Sequence, residues 1–321
     1  MPGAISPHRK CVWNLLERTD GVRGMALVPV AADFFERDKE ARQPLCREYG
    51  RSLESGDILF FAHSPLPMAA DAVEFLLRQK QAAGSHHKNI AYKPGADRLS
   101  GYGGENVERM RAILRDFSAT ALACLRKLLP YAFVADFASF RGIEEKGRPA
   151  KLKARNDLLH VDSFPTRPTH GRRILRFFVN LNPSQPRVWK TGLPFPELAR
   201  RYAAASGLLA RSRAADWQER LAQAGLPLHP RPAYDRFMLL FHHWLKASPE
   251  VQNAPENTIW EFPAGSAWLG LTDTVSHAVL SGRYAVEQTV LVEPATLLRP
   301  ELAPATIFAR LAAGPAAARA A

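Results

Sequence analysis

The sequence predicts an α+β fold with an antiparallel, β-rich core, peripheral helices and one helical insertion. Three observations carry that expectation. Short runs dense in aromatic and aliphatic residues gather in the second half of the chain, without the regular βαβ alternation of a parallel sheet. Neither glycine-rich phosphate-loop pattern is present. The chain has 321 residues, 46% of them hydrophobic, so it can bury a core of its own without staples. The expectation is a single domain over 1–321.

The elements follow in order. Residues 57–61 (Asp57, Ile58, Leu59, Phe60, Phe61) form an apolar run after Gly56 and read as a buried strand. Residues 69–81 place Ala72, Val73, Phe75, Leu76 and Leu77 in helical rhythm. Residues 107–129 carry Met110, Ile113, Leu114, Phe117, Ala121, Leu122 and Leu125 on the i, i+3, i+4 pattern of a long amphipathic helix. That helix must stop before Pro130. Residues 173–182 read as a strand ending at Pro183, as do 258–262 and 285–292. Between the first of these strands and the other two lies the helical insertion, about 195–247. A tail rich in Ala, Gly and Arg, about 311–321, is expected to fray.

Cys11, Cys46 and Cys124 give neither a disulfide framework nor zinc-site spacing, which suits a reducing compartment. No apolar run approaches the ~20 residues of a spanning helix, and the N-terminus has no signal-peptide pattern. The net charge of +12 favours a polyanionic partner: nucleic acid, anionic lipid or an acidic substrate. The excess is concentrated at 141–176, where ten Lys/Arg face four acids.

His160-Val161-Asp162 is the sharpest feature. On a strand, residues i and i+2 share a face, so an imidazole and a carboxylate can converge. A second histidine would complete a facial triad, which leaves open positions on Fe(II) for a 2-oxo acid and dioxygen. His277 lies downstream of a strand, a Pro/Gly turn and a second strand, and before the turn Ser281-Gly282. That order is the approach to the distal iron ligand in a double-stranded β-helix, a jelly roll of cupin type. His170, His229, His242 and His243 compete for the role, but the order of elements favours His277. A 2-oxo acid also needs a cation for its far carboxylate, best a bidentate arginine. Alternation in 173–182 puts Arg176, Phe178 and Asn180 on one face. Arg176 is the first candidate for that cation and Arg283 the second. Glu261 and Glu287 are the alternative partners for Arg176.

These residues resemble a known family. The run His160-Val161-Asp162-Ser163-Phe164-Pro165-Thr166-Arg167-Pro168-Thr169 is similar to the Kdo hydroxylases, as are Arg173-Ile174-Leu175-Arg176, Asn180-Leu181-Asn182-Pro183 and Arg187-Val188-Trp189. Lys88-Asn89-Ile90, Ser139-Phe140-Arg141 and Glu287-Gln288-Thr289 extend the likeness, which spans about 50–295. The resemblance implies an Fe(II)/2-oxoglutarate-dependent dioxygenase with iron on His160, Asp162 and His277. It implies O2 as oxidant, succinate as co-product and ascorbate as an optional reductant. The implied acceptor is the outer 3-deoxy-D-manno-oct-2-ulosonic acid (Kdo) sugar of Kdo-lipid A, hydroxylated at C3 during lipopolysaccharide biosynthesis. An anionic glycolipid also accounts for the charge. Lys88, Lys93, Arg141, Arg148 and Arg167 are candidates for a basic wall that holds such a substrate. The implied location is the cytoplasm, peripherally on the inner membrane. Nucleic-acid binding by 141–176 is the second reading, but no helical reader or RNA-binding signature accompanies the charge. A metal-free carbohydrate-binding jelly roll leaves the histidines and the aspartate unexplained.

Overall fold

The computed structural model describes residues 24–79, 89–213, 221–222, 224–225 and 230–314. The strands are β1 (Leu27–Pro29), β2 (Ile58–Phe61), β3 (Ile90–Lys93), β4 (Arg98–Ser100), β5 (Phe133–Arg141), β6 (Arg173–Asn180), β7 (Arg187–Thr191), β8 (Thr258–Phe262), β9 (Ala267–Leu271), β10 (His277–Ser281) and β11 (Ala285–Val292). The helices are α1 (Lys39–Glu54), α2 (Ala70–Leu77), α3 (Val107–Leu128), α4 (Phe195–Tyr202), α5 (Leu208–Arg213), α6 (Ala233–Ala247), α7 (Pro249–Gln252) and α8 (Pro304–Ala313). Eight strands form one sheet in the order β1-β2-β9-β6-β11-β5-β3-β4, and three form a second in the order β10-β7-β8. All pairings are antiparallel except β1 with β2. This is the jelly-roll architecture that the sequence predicts.

Strand alternation divides the core. On β6, Leu175, Phe177 and Val179 face the helices α1 and α3, where they join Leu53, Met110, Leu114, Phe117 and Leu125. Phe178 points the other way, into the space between the sheets, with Phe60, Trp189, Phe262, Trp268, Val275 and Val279. The rings of Phe262 and Trp268 stack at 4.0 Å, and Phe178 stacks on Trp268 at 5.4 Å. Period-2 alternation thus gives one face to each core. The helices between β7 and β8 close a third core, in which Phe195, Phe237, Phe241 and Leu245 cover Leu159, Val161 and Ala278.

The helix α3 runs as its apolar stripe dictates and ends at Leu128, with Leu129 as its cap before Pro130. The helix expected over 69–81 is shorter: α2 ends at Leu77, with Arg78 as its cap. In the tail, 311–313 are the last turn of α8, and 315–321 lie outside the described residues. Helix α1 has no sequence expectation, because Pro44 lies inside it and its buried residues are confined to its last two turns. Its start is set by Asp38, whose side chain accepts the Ala41 N–H at 2.8 Å.

Candidate active site

The segment around His160 meets β10 through one isolated antiparallel bridge. The His160 N–H donates to the His277 carbonyl at 3.1 Å, and the His277 N–H donates to the His160 carbonyl at 2.9 Å. This reciprocal pair sets the two histidines directly opposite each other, so their side chains share a face. Two residues on, the Asp162 N–H donates to Thr272 O at 2.7 Å, and the Asp162 carboxylate oxygen Oδ1 lies 3.8 Å from His160 Nε2. The outcome is a cluster of three buried groups whose ligand atoms all lie within 4.8 Å of one another. It is the one such group among the described residues.

A second device holds the turn that carries His277. Arg173, fully buried, donates from Nε to Asp273 Oδ2 at 2.9 Å and from Nη2 to Oδ1 at 3.1 Å. The Ile174 N–H also donates to Asp273, at 3.2 Å. The β9–β10 turn is thereby clamped to the start of β6.

The residues fit a divalent metal. His160 Nδ1 lies 2.7 Å from Leu158 O, and His277 Nδ1 lies 2.8 Å from Val275 O. A ring nitrogen facing a carbonyl carries the proton, which leaves Nε2 of each ring with its lone pair. Burial holds both imidazoles below the usual histidine range, so both stay neutral ligands; for His160 the nearby His277, His242 and Lys246 add to the effect. Burial pushes the Asp162 carboxyl up, but the Arg176 guanidinium outweighs it and holds the group well below the usual carboxylate range. Its Oδ2 is buried with no hydrogen-bond partner. Two neutral imidazoles and one anionic oxygen are the donor set of the facial triad.

Of the competing histidines, His170 sits in a left-handed turn (φ 54°) and His229 lies outside the described residues. His243 is half-buried, beside Lys153. His242 does touch the site, but not as a ligand. Its ring packs edge-on to His160 at 4.8 Å, and its Nδ1 lies 2.7 Å from Val161 O, the residue between the two ligands. It braces the ligand segment from α6.

The arginines divide by burial. Arg176 lies on the metal side: its Nη1 is 3.3 Å from Asp162 Oδ2, so its ion-pair partner is neither Glu261 nor Glu287. Glu287 is taken instead by Arg141, which donates from Nε and Nη2 at 3.0 Å each. Arg141 is thus an interior residue and no part of an open basic wall. Asn180 spends its side chain on the backbone: its amide faces Gln185 O, Phe262 O and Pro263 O, and its Oδ1 accepts the Asn182 N–H. Arg283 lies beyond the far end of β10 from His277, donating to Gly142 O with its guanidinium over the Tyr284 ring. Lys93 is exposed at the end of β3, and Lys88 lies outside the described residues. Arg148 pairs with Glu145.

Sequence reasoning passed over one residue. Arg187, on the same face of β7 as Trp189, is buried and has no acidic partner within ion-pair distance among the described residues. Its Nη1 donates to Gly282 O at 3.0 Å, and its Nε has no partner. Burial, reinforced by Arg141, lowers its pKa to about 10. Gly282 is glycine by necessity: its φ is +125°, and a Cβ there would meet Arg187 Cγ at 2.7 Å. The signal was present in the alternation of Arg187, Trp189 and Thr191. Trp189 stacks on His277 at 5.0 Å. Its Nε1, Arg176 Nε and Thr289 Oγ1 are further buried polar atoms without partners, and Thr289 stands opposite Arg176 across β11 and β6.

The arginines of the basic segment are paired with acids, several of them from distant parts of the chain. Arg155 pairs with Asp157, Arg167 with Asp136, and Arg172 with Glu293, so every arginine in 141–176 has an acidic neighbour. Arginines paired in this way do not make the row of free cations that a nucleic-acid backbone needs.

A jelly roll with a buried two-histidine, one-carboxylate face is the architecture of the non-heme iron oxygenases. The family model for 3-deoxy-D-manno-oct-2-ulosonic acid (Kdo) hydroxylase matches residues 36–315, and the chain belongs to that family. It is similar to the apo structure of KdoO, a non-heme Fe(II) α-ketoglutarate (2-oxoglutarate) dependent dioxygenase, with a TM-score of 0.76 and 30% identity over 89% of this chain and 95% of that one. The complex of KdoO with α-ketoglutarate and Fe(III) gives the same values. Its cobalt(II) complex is 31% identical over the same coverage, with a TM-score of 0.76. No curated protein matches the chain.

His242→Phe keeps a ring against His160 but removes the donor to Val161. Metal titration of the purified protein should give an affinity lower by about 10- to 100-fold, the usual effect of losing an outer partner of a metal site. An affinity equal to that of the unaltered protein would show that α6 does not brace the ligands.

Proposed function

We propose that this chain hydroxylates the outer Kdo sugar of Kdo-lipid A at C3, with Fe(II) on His160, Asp162 and His277 and 2-oxoglutarate as co-substrate. The observation that carries the reading is the triad itself, with both Nδ1 atoms tied to carbonyls and Asp162 held ionised. When bound, the metal supplies a Lewis-acidic centre with open positions for a chelating 2-oxo acid and dioxygen. The overall reaction consumes the acceptor C–H, 2-oxoglutarate and O2, and yields the alcohol, succinate and CO2. One oxygen atom enters the alcohol and the other enters succinate.

The protein's part is to hold a dianion in a dry pocket. Arg141, Arg176 and Arg187 oppose Glu287 and Asp162 in the barrel interior. That leaves a surplus of positive charge even before a divalent ion is added, and a dianion offsets it. Arg176, against Asp162, serves the oxo-acid end. The far carboxylate is served by Arg187 with Arg141. The unpartnered donors Trp189 Nε1, Arg176 Nε and Arg187 Nε, with the Thr289 hydroxyl, are what such a ligand needs. The stacked rings of Phe178, Trp268 and Phe262 keep water out of the same space.

The test is succinate release from 2-oxoglutarate with a Kdo-lipid A acceptor. The unaltered protein should form succinate and hydroxylated sugar in equal amounts. His160→Ala, Asp162→Ala and His277→Ala should each abolish turnover while the protein remains folded. Full activity in His277→Ala would reject the ligand assignment.

The acceptor also suggests where the protein works. No helix among the described residues is long and apolar enough to cross a membrane. The net charge of +12 and an exposed Leu152 between exposed Lys151 and Lys153 support peripheral contact with an anionic surface. Each such cation contributes about 1 kcal/mol near the surface, within a Debye length of ~10 Å at 0.1 M salt. The protein should sediment with anionic vesicles at low salt and be released at high salt. Binding that survives high salt, or no binding at low salt, would contradict electrostatic attachment.

A further inference from the structure

We infer that Arg167 is the residue that reads the acceptor's carboxylate, an assignment that rests on the proposed function and adds a specificity determinant to it. The chemistry of the acceptor defines what to look for. In a 3-deoxy-2-ulosonic acid the carboxylate is C1, the anomeric carbon is C2 and the methylene is C3. A C3–H delivered to the metal therefore brings a carboxylate two bonds from the reacting carbon. The enzyme needs a cation beside the metal pocket, distinct from the buried arginines that face the co-substrate.

Arg167 meets those requirements. Its guanidinium lies 4.3 Å from the centroid of Phe164 and 4.9 Å from that of Phe137. Arg176, which touches the metal carboxylate, lies 5.9 Å from each of the same two rings. The two arginines thus share one aromatic cage. Arg176 is its inner occupant, with an 11% exposed side chain, and Arg167 is its outer one, at 38%. Phe164 follows Asp162 by two residues, so the cage is built on the loop that leaves the metal.

The cation is held ready. Arg167 Nη1 donates to buried Asp136, which uses one of the five N–H groups of the fork. Ring faces on a guanidinium restrict its rotation. The loop itself is tied to α6: Pro165 O accepts from Arg231 at 2.6 Å, and Asp235 accepts the Thr169 and His170 N–H groups at 2.6 and 3.2 Å. Beside it lies a small recess of about 10 Å³, room for a single water, walled by Asp162, Ser163, Thr169, Arg172, Tyr234 and Asp235 among others.

The experiment compares kcat/KM for a Kdo-lipid A acceptor with that for its C1 carboxamide. The unaltered enzyme should prefer the acid. In Arg167→Met that preference should fall by about 10- to 100-fold, the worth of a charge-assisted pair. Arg167→Lys, which keeps the charge and loses the fork, should retain part of the preference. If the Met variant misfolds, Arg167→Gln is read in its place. An unchanged ratio in these variants overturns the assignment, as does a collapse in Arg172→Met with none in Arg167→Met. An unaltered enzyme that converts neither acceptor rejects the proposed function and this assignment with it.

Discussion

Two backbone hydrogen bonds, exchanged between His160 and His277, are the constraint on which the site depends. They convert residues 117 positions apart into direct neighbours on a sheet edge. Everything near them serves to keep that register. The Arg173–Asp273 pair fixes the turn that leads into His277, and it is buried on both sides. Breaking such a pair on one side typically costs about 3–5 kcal/mol, because the other charge stays buried without compensation. His242 holds the peptide between His160 and Asp162 from the helical side. The helical insertion therefore backs the site: α6 packs behind the segment of His160 and Asp162, and its start anchors the loop that follows Asp162.

The interior of the barrel is costly by design. Buried arginines need partners, and Arg173, Arg141 and Arg176 have them in Asp273, Glu287 and Asp162. Arg187 has only a carbonyl. A buried cation with an unpaired nitrogen persists in a fold when a ligand supplies the missing charge. The same reasoning covers the Trp189 Nε1 beside His277.

Much of this was legible from the chain. The i, i+2 spacing of His160 and Asp162 pointed to convergence of the two side chains, although the structure forms an isolated bridge at His160 and no strand; the alternation in 173–182 correctly separated Phe178 from Phe177. The order of strand, turn, strand and histidine led to His277. Other features were not legible, for physical reasons. Helix α1 hides behind Pro44 and a charged surface. Asn180 shares a face with Arg176, yet its amide is spent on the turn around Pro263, a long-range bond that no local pattern announces. The basic segment looked like a surface because its acids come from elsewhere: Arg141 pairs with Glu287, Arg172 with Glu293 and Arg167 with Asp136. Charge density along a sequence does not reveal pairing across a sheet.

The central claim is that the triad and the interior arginines form one site, with the metal and the dianion each completing the other. Calorimetric titration of 2-oxoglutarate, under anaerobic conditions with and without Fe(II), tests it most directly. The account predicts one equivalent bound tightly in the presence of Fe(II), and binding weaker by orders of magnitude in its absence. Equal binding with and without metal, or none in either case, would contradict it.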